Sequence, residues 1–279
     1  MKHSGTAAGV PFVAVAPERG ARPDAPVVIG YHMLDAPRTE TAFAAAVPLL
    51  GLDAWRIYFG LPMSGTRLPA GGADELWRLI MADAVLNVHR HVTLGALAEF
   101  PEAYAAVRGR LGIDPAAPLG VLGGSMGGAA AHLVLAEGGF EVRAAVLVNP
   151  VVRMRDTIDG LAKRFGAMYA WNAEADAVAE RVDFVRRAPE LTGAAIRYVT
   201  GADDAAEAIL DPVAAVVGEL PRHGGTVDWQ VVPGMAHALA EEPGTEPAPQ
   251  TPHAADVDRL AVEWFRQHLV AADKTTEGG

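Results

Sequence analysis

Residues Val121-Leu122-Gly123-Gly124-Ser125-Met126-Gly127-Gly128 decide how this chain is read. The run starts apolar, breaks into glycines around one serine, and resumes as an alanine-rich pattern over 129–136, which reads as strand, sharp turn and helix. A serine at the tip of such a turn sits on strained backbone, and its neighbours must be small because a Cβ would collide with the adjoining strand or helix. Gly123 and Gly127 supply that room. The chain has three serines, Ser4, Ser64 and Ser125, so roughly 0.03 Gly-x-Ser-x-Gly placements are expected by chance, too few to dismiss this one. The plainest alternative is a Gly-rich β–α turn that only packs tightly. Two ligand-binding glycine loops fail on spacing. Gly123 and Gly128 are separated as in a phosphate-binding loop, but Ala129 and Ala130 stand where Lys and Ser/Thr must be. No Gly-x-Gly-x-x-Gly register fits, which argues against a dinucleotide site.

Upstream of this turn, residues 11–17 read as a short first strand and 26–31 as a buried strand that ends at His32-Met33-Leu34-Asp35. Residues 39–50 form an amphipathic, alanine-rich helical pattern with Thr39 as N-cap, and 54–61 read as the next strand. Strand, helix, strand is the crossover unit of a parallel sheet. A helical stretch over 74–88 and a second over 94–111 precede the central strand. Downstream, 142–148 is an apolar strand closed by Asn149-Pro150, and 151–192 interrupts the alternation with charged helical pattern carrying Phe165, Met168, Tyr169 and Trp171. Residues 194–200 form a strand followed by Gly201-Ala202-Asp203-Asp204, and 205–220 a helix that Pro212 is expected to break or kink. Residues 226–232 alternate as a last strand ending in Pro233-Gly234-Met235-Ala236-His237, a final helix covers 254–270, and 272–279 read as a disordered tail. The expected organisation is one domain over 1–279, with 151–192 inserted within it.

Composition narrows the function classes. A 279-residue chain that is 51% hydrophobic and 20% charged can bury a large core. A net charge of -11 with no basic runs argues against nucleic acid or an anionic membrane as partner. With zero cysteines there is no disulfide, no thiol nucleophile and no cysteine-ligated zinc. His89 and His91 are two apart, which on a helix puts them on different faces, so no metal is expected there. The first 16 residues lack the apolar core of a signal peptide and no run approaches 18 apolar residues, so the expected location is the cytoplasm.

The Gly-x-Ser-x-Gly turn resembles the nucleophile elbow of the α/β-hydrolase superfamily. The order Ser, then Asp after a later strand, then His after the last strand resembles the same superfamily, and the likeness extends over about 11–270. It implies a doubly wound, mostly parallel sheet with helices on both faces, and makes 151–192 a small helical cap. The physical requirements can be stated beside it. A serine hydroxyl attacks a carbonyl only if a base takes its proton, and His237 is the candidate base. The imidazolium that forms needs a carboxylate on its far nitrogen, for which Asp204 is the candidate and Asp203 the alternative, one of the two also serving as a helix N-cap. The oxyanion needs fixed N–H donors. One is expected from Met126 at the start of the following helix, the second from the loop after Tyr31, by Leu34 or by Met33. In that loop His32 matches the family's histidine, but Met33 stands where the family has glycine. His32 is expected to be structural. Tyr31 and Trp171 are candidates for the substrate pocket. The resemblance implies a serine hydrolase of small or medium carboxylic esters, acting on a small-molecule acyl substrate with no cofactor and no metal. An acyltransferase, an amide or carbon–carbon bond hydrolase on the same three residues, and an inactive ligand-binding protein on this scaffold are the alternatives.

Overall fold

A computed structural model describes residues 2–270. The eight strands are β1 (Lys2–Ala7), β2 (Val10–Val15), β3 (Val27–Tyr31), β4 (Trp55–Phe59), β5 (Leu119–Gly124), β6 (Val142–Val148), β7 (Ala195–Gly201) and β8 (Thr226–Val232). They form one sheet in the order β1-β2-β4-β3-β5-β6-β7-β8. β1, β2 and β4 pair antiparallel, and every pairing from β4 through β3 to β8 is parallel. The apolar strands β3 to β6 have almost no polar face because helices cover both sides of the sheet. Those helices are α1 (Glu40–Ala46), α2 (Gly72–Ala84), α3 (Arg90–Leu111), α4 (Met126–Glu137), α5 (Met154–Arg164), α6 (Ala173–Arg181), α7 (Asp211–Glu219) and α8 (Pro252–Phe265). One face packs Phe12, Phe59, Phe100, Tyr104 and Tyr198, and the other packs Phe43, Tyr58, Trp264 and Phe265.

Several elements depart from the sequence reading. β1 is absent from that reading because its residues are polar and mostly exposed at the sheet edge, so no alternation marks it. It pairs with β2 through a tight turn at Ala8 and Gly9, both at positive φ, which is the hairpin geometry that matches strand twist. α1 begins where Thr39 accepts the Ala42 N–H at 3.1 Å, but it stops at Ala46 because Pro48 disfavours helical backbone at the residue before it. The break between α2 and α3 falls earlier than expected. Asp83 leaves helical geometry, its carboxylate accepts the Leu86 N–H, and one π-helical turn over Val85–His89 then runs directly into α3. Pro212 falls at the second residue of α7, directly after a π turn over Ala206–Leu210, so the helical run changes form at the proline. The tail over 272–279 lies outside the described residues.

The carboxyl ends of β3, β5, β6, β7 and β8 carry Leu34, Ser125, Asn149, Asp204 and His237 on the loops that follow them. In a parallel sheet this edge is where crossing loops leave a crevice. Two separate stretches cover it: α5 from the segment after β6, and α2 from the segment before β5. Their outer ends meet where Trp77 packs edge-on against Phe165 and the Tyr169 hydroxyl donates to Asp83 at 2.6 Å. Among the described residues no helix is long and apolar enough to cross a membrane.

Candidate active site

The turn from β5 to α4 is held by close backbone approach. A Cβ on Gly123 would lie 2.3 Å from the Gly127 carbonyl oxygen, and one on Gly127 would lie 2.2 Å from that of His32, so neither position accepts a side chain. Ser125 itself takes φ 50° and ψ −118°, a strained conformation for a residue with a Cβ. Its N–H donates to the Val148 carbonyl, and its own carbonyl accepts from Gly128 and Val151, which ties the tip of the turn to β6 and to the first turn of α4.

His237 Nε2 lies 2.8 Å from Ser125 Oγ, and His237 Nδ1 lies 2.8 Å from Asp204 Oδ2. Residues 125, 204 and 237, distant in sequence, thus form one hydrogen-bonded line. The Asp204 side chain is 3% exposed, with Oδ1 accepting the Ala205 N–H at 2.7 Å. Asp203 is exposed and its N–H goes to the Met235 carbonyl, so of the two acids it is Asp204 that faces the histidine. An ionised carboxylate only accepts, so Nδ1 carries the proton and the Nε2 lone pair faces the serine hydroxyl.

Burial lowers the pKa of His237, but the hydrogen bond and charge of Asp204, together with the Asp35 carboxylate 3.6 Å from Nε2, outweigh it. Arg164 opposes them from across the cavity. The net direction is upward. Asp35→Asn removes a negative charge that favours the imidazolium, so His237 should titrate at lower pH than in the wild type. An NMR titration of the His237 ring reads this directly; an unchanged or higher pKa would show that Asp35 does not act on the ring.

The loop after β3 is built around His32. Leu61 N–H donates to His32 Nε2 at 3.0 Å, so the proton is on Nδ1, which donates to the Met33 carbonyl at 2.7 Å. Burial, with a nearby Arg67 charge, lowers its pKa to about 4 and keeps it neutral. Met33 is fully buried, and its N–H is turned into its own loop toward the Pro37 carbonyl at 3.3 Å. Its side chain takes the space over Gly124, where a Cβ would be 2.7 Å from Met33 Cγ. A second glycine before the serine therefore makes room for the methionine in the next loop. Leu34 and Met126, by contrast, both line the cavity over Ser125, and among the described residues neither N–H has a protein partner. Arg38 fixes the Leu34 carbonyl at 2.7 Å and is itself held by Glu242.

The cavity has a volume of about 890 Å³. Its apolar wall comes from Leu76, Trp77 and Ile80 of α2 with Val151, Leu161 and Ile209, and its mouth is charged, with Asp35, Lys163, Arg164 and Glu207. Neither aromatic residue expected in the pocket lines it. Tyr31 points into the core beneath the sheet edge, where its ring packs against Phe59 at 6.2 Å, because the last residue of a strand follows the strand's alternation. Trp171 lies outside, its ring under the Arg155 guanidinium at 4.0 Å and its N–H donated to Asp159. Trp77 of α2 lines the cavity in their place.

Sequence reasoning also missed Asn149. It is fully buried at the end of β6 with φ 43°; its Oδ1 accepts the Gly201 N–H at 2.8 Å and its Nδ2 donates to the Ala236 and His237 carbonyls at 3.1 and 3.0 Å. One carboxamide thus joins the turn bearing Asp204 to the loop bearing His237. The available signal was an Asn-Pro pair ending an apolar strand at the same sheet edge. Among the described residues no group of three His, Asp or Glu side chains is placed to hold a metal ion.

No family model and no curated protein sequence matches this chain. Solved structures do. A Thermus thermophilus protein, TT1662, superposes over 97% of this chain and 98% of its own, with TM-score 0.70 and 20% identity. A thermostable carboxyl esterase from Bacillus coagulans matches over 96% and 98%, with TM-score 0.64 and 11% identity. The acylaminoacyl peptidase of Pyrococcus horikoshii matches over 99% of this chain, which spans 42% of that longer one, with TM-score 0.66 and 12% identity. At these identities the likeness is one of architecture. The parallel sheet, the order of its strands and these superpositions give the conclusion that the chain has the α/β-hydrolase fold.

Proposed function

We propose that this protein is a serine hydrolase that cleaves a small or medium carboxylic ester through an acyl-enzyme on Ser125. The observation that carries the reading is the line Asp204–His237–Ser125, with both hydrogen bonds at 2.8 Å and the serine opening into a cavity. As Ser125 Oγ bonds to the ester carbonyl carbon, its proton passes to His237 Nε2. The carbonyl oxygen becomes an anion, held by the N–H groups of Met126, at the positive end of α4, and of Leu34; each such donor is worth about 3 kcal/mol by comparison with measured deletions. Collapse breaks the bond to the alcohol oxygen, which takes the proton back from His237. Water then attacks the acyl carbon as it gives a proton to His237, and collapse breaks the bond to Ser125 Oγ, which takes that proton back and leaves the free acid. Asp204 keeps the imidazole in the required tautomer throughout.

The two-step path is tested by partitioning. With methanol added, two esters that share an acyl group but differ in leaving alcohol should give the same ratio of methyl ester to acid, because both pass through one acyl-enzyme. A ratio that changes with the leaving group would contradict a common intermediate.

A further inference from the structure

His89 ends the π-helical turn between α2 and α3 and is 6% exposed, yet it lines the cavity over Ser125. Its Nδ1 lies 3.2 Å from Met126 Sδ. A thioether sulfur can accept a hydrogen bond but cannot donate one, so this contact places the ring proton on Nδ1 and leaves the Nε2 lone pair free. Among the described residues Nε2 has no protein partner, and it is not one of the fully enclosed polar atoms, so the surface it keeps opens into the cavity. The main chain at His89 is held too, since Thr93 Oγ1 donates to its carbonyl at 2.8 Å. Single π turns inside helices are frequent at functional sites, and this one, unlike that over Arg266–Val270, ends on a residue that lines the cavity.

We propose that His89 is a substrate-binding residue: its Nε2 accepts a hydrogen bond from an O–H or N–H of the bound ester, so this cavity selects esters that carry such a donor beyond the reactive carbonyl. The inference rests on the ester-hydrolase reading of the same cavity. Burial lowers the pKa of His89 to about 4, so near neutral pH the ring is an acceptor at Nε2 and not a cation. Met126 thus touches His89 through its thioether and carries the proposed oxyanion donor on its own main chain, so one residue links His89 to the oxyanion site.

The test measures kcat/KM for esters bearing one hydroxyl or one acetamido group on the acyl or the alcohol part, each beside its unsubstituted counterpart. Wild type should favour at least one donor-bearing ester by about tenfold or more, and that preference should fall to within about twofold in His89→Leu and survive in part in His89→Gln, whose amide oxygen still accepts. The ratio within each variant is the readout, and the position of the favoured donor shows which part of the substrate reaches His89. Nitrogen NMR of the wild type gives a second readout that needs no variant: Nδ1 protonated and Nε2 bare. The proposal is overturned if no donor-bearing ester is preferred, if the preference persists in His89→Leu, or if Nε2 carries the proton. Labelling of wild-type Ser125 by a fluorophosphonate separates the two levels. Labelled protein with no donor preference overturns the role of His89 alone, whereas unlabelled folded protein overturns the hydrolase reading on which it rests.

Discussion

Ser125→Ala is expected to fold as the wild type does and to lose ester turnover by about 10⁴-fold or more. The folding half of this expectation follows from what holds the turn. Gly123 and Gly127 allow the close backbone approach, and the main-chain bonds of residue 125 to Val148, Gly128 and Val151 do not involve the hydroxyl. Alanine keeps the Cβ that the serine already carries at φ 50°, so no new strain enters. The substitution removes the 2.8 Å hydrogen bond between the hydroxyl and His237, whose ring remains anchored by Asp204. The catalytic half follows because, among the described residues, no other hydroxyl is hydrogen-bonded to His237. Thermal unfolding within a few degrees of wild type, with turnover gone, is the expected pair of results; retained turnover would show that the elbow is only structural.

Asn149→Ala is expected to lower kcat by about 10²-fold and to cost about 1–3 kcal/mol of stability. Three main-chain groups, the Gly201 N–H and the Ala236 and His237 carbonyls, are left without their partner at once. Asparagine also tolerates the left-handed φ of 43° better than alanine does. The acid turn and the histidine loop then drift relative to each other, so the loss should fall on kcat with KM within about threefold. Asn149→Asp separates position from packing. Its carboxylate can still accept from Gly201 but turns an oxygen toward two carbonyls, so it should fail to restore kcat near neutral pH. Full activity in Asn149→Asp would show that the bridge does not position His237.

Much of the fold was legible because a parallel sheet covered on both faces writes itself as short apolar runs separated by helical pattern, and β5, β6, β7 and β8 all fall where those runs do. That Ser125, Asp204 and His237 come together was legible for a related reason: the strained serine turn demands glycines, and the loops after β7 and β8 follow strands that the pattern marks clearly. What failed was decided by side-chain direction or by polarity. Tyr31 continues a strand and so obeys its alternation, which one residue of uncertainty at a strand end reverses. Trp171 lies on the loop between α5 and α6 and Trp77 on α2, and the way these segments lie over the sheet, which a single sequence does not encode, puts Trp77 and not Trp171 in the lining. Met33 could be placed only once Gly124 was seen to make room for it. β1, polar and at the sheet edge, left no apolar trace to read.

The most direct test of the proposed chemistry is intact-mass measurement after exposure to a fluorophosphonate, on wild type, Ser125→Ala and His237→Ala in parallel. The reagent reacts only with a serine whose proton is taken by a positioned base, so it reports on the line from Asp204 to Ser125 without requiring the natural ester. One adduct per wild-type chain, located at Ser125 and absent from both variants, is the expected result. No adduct on folded wild type, or an adduct that survives in Ser125→Ala, would contradict it.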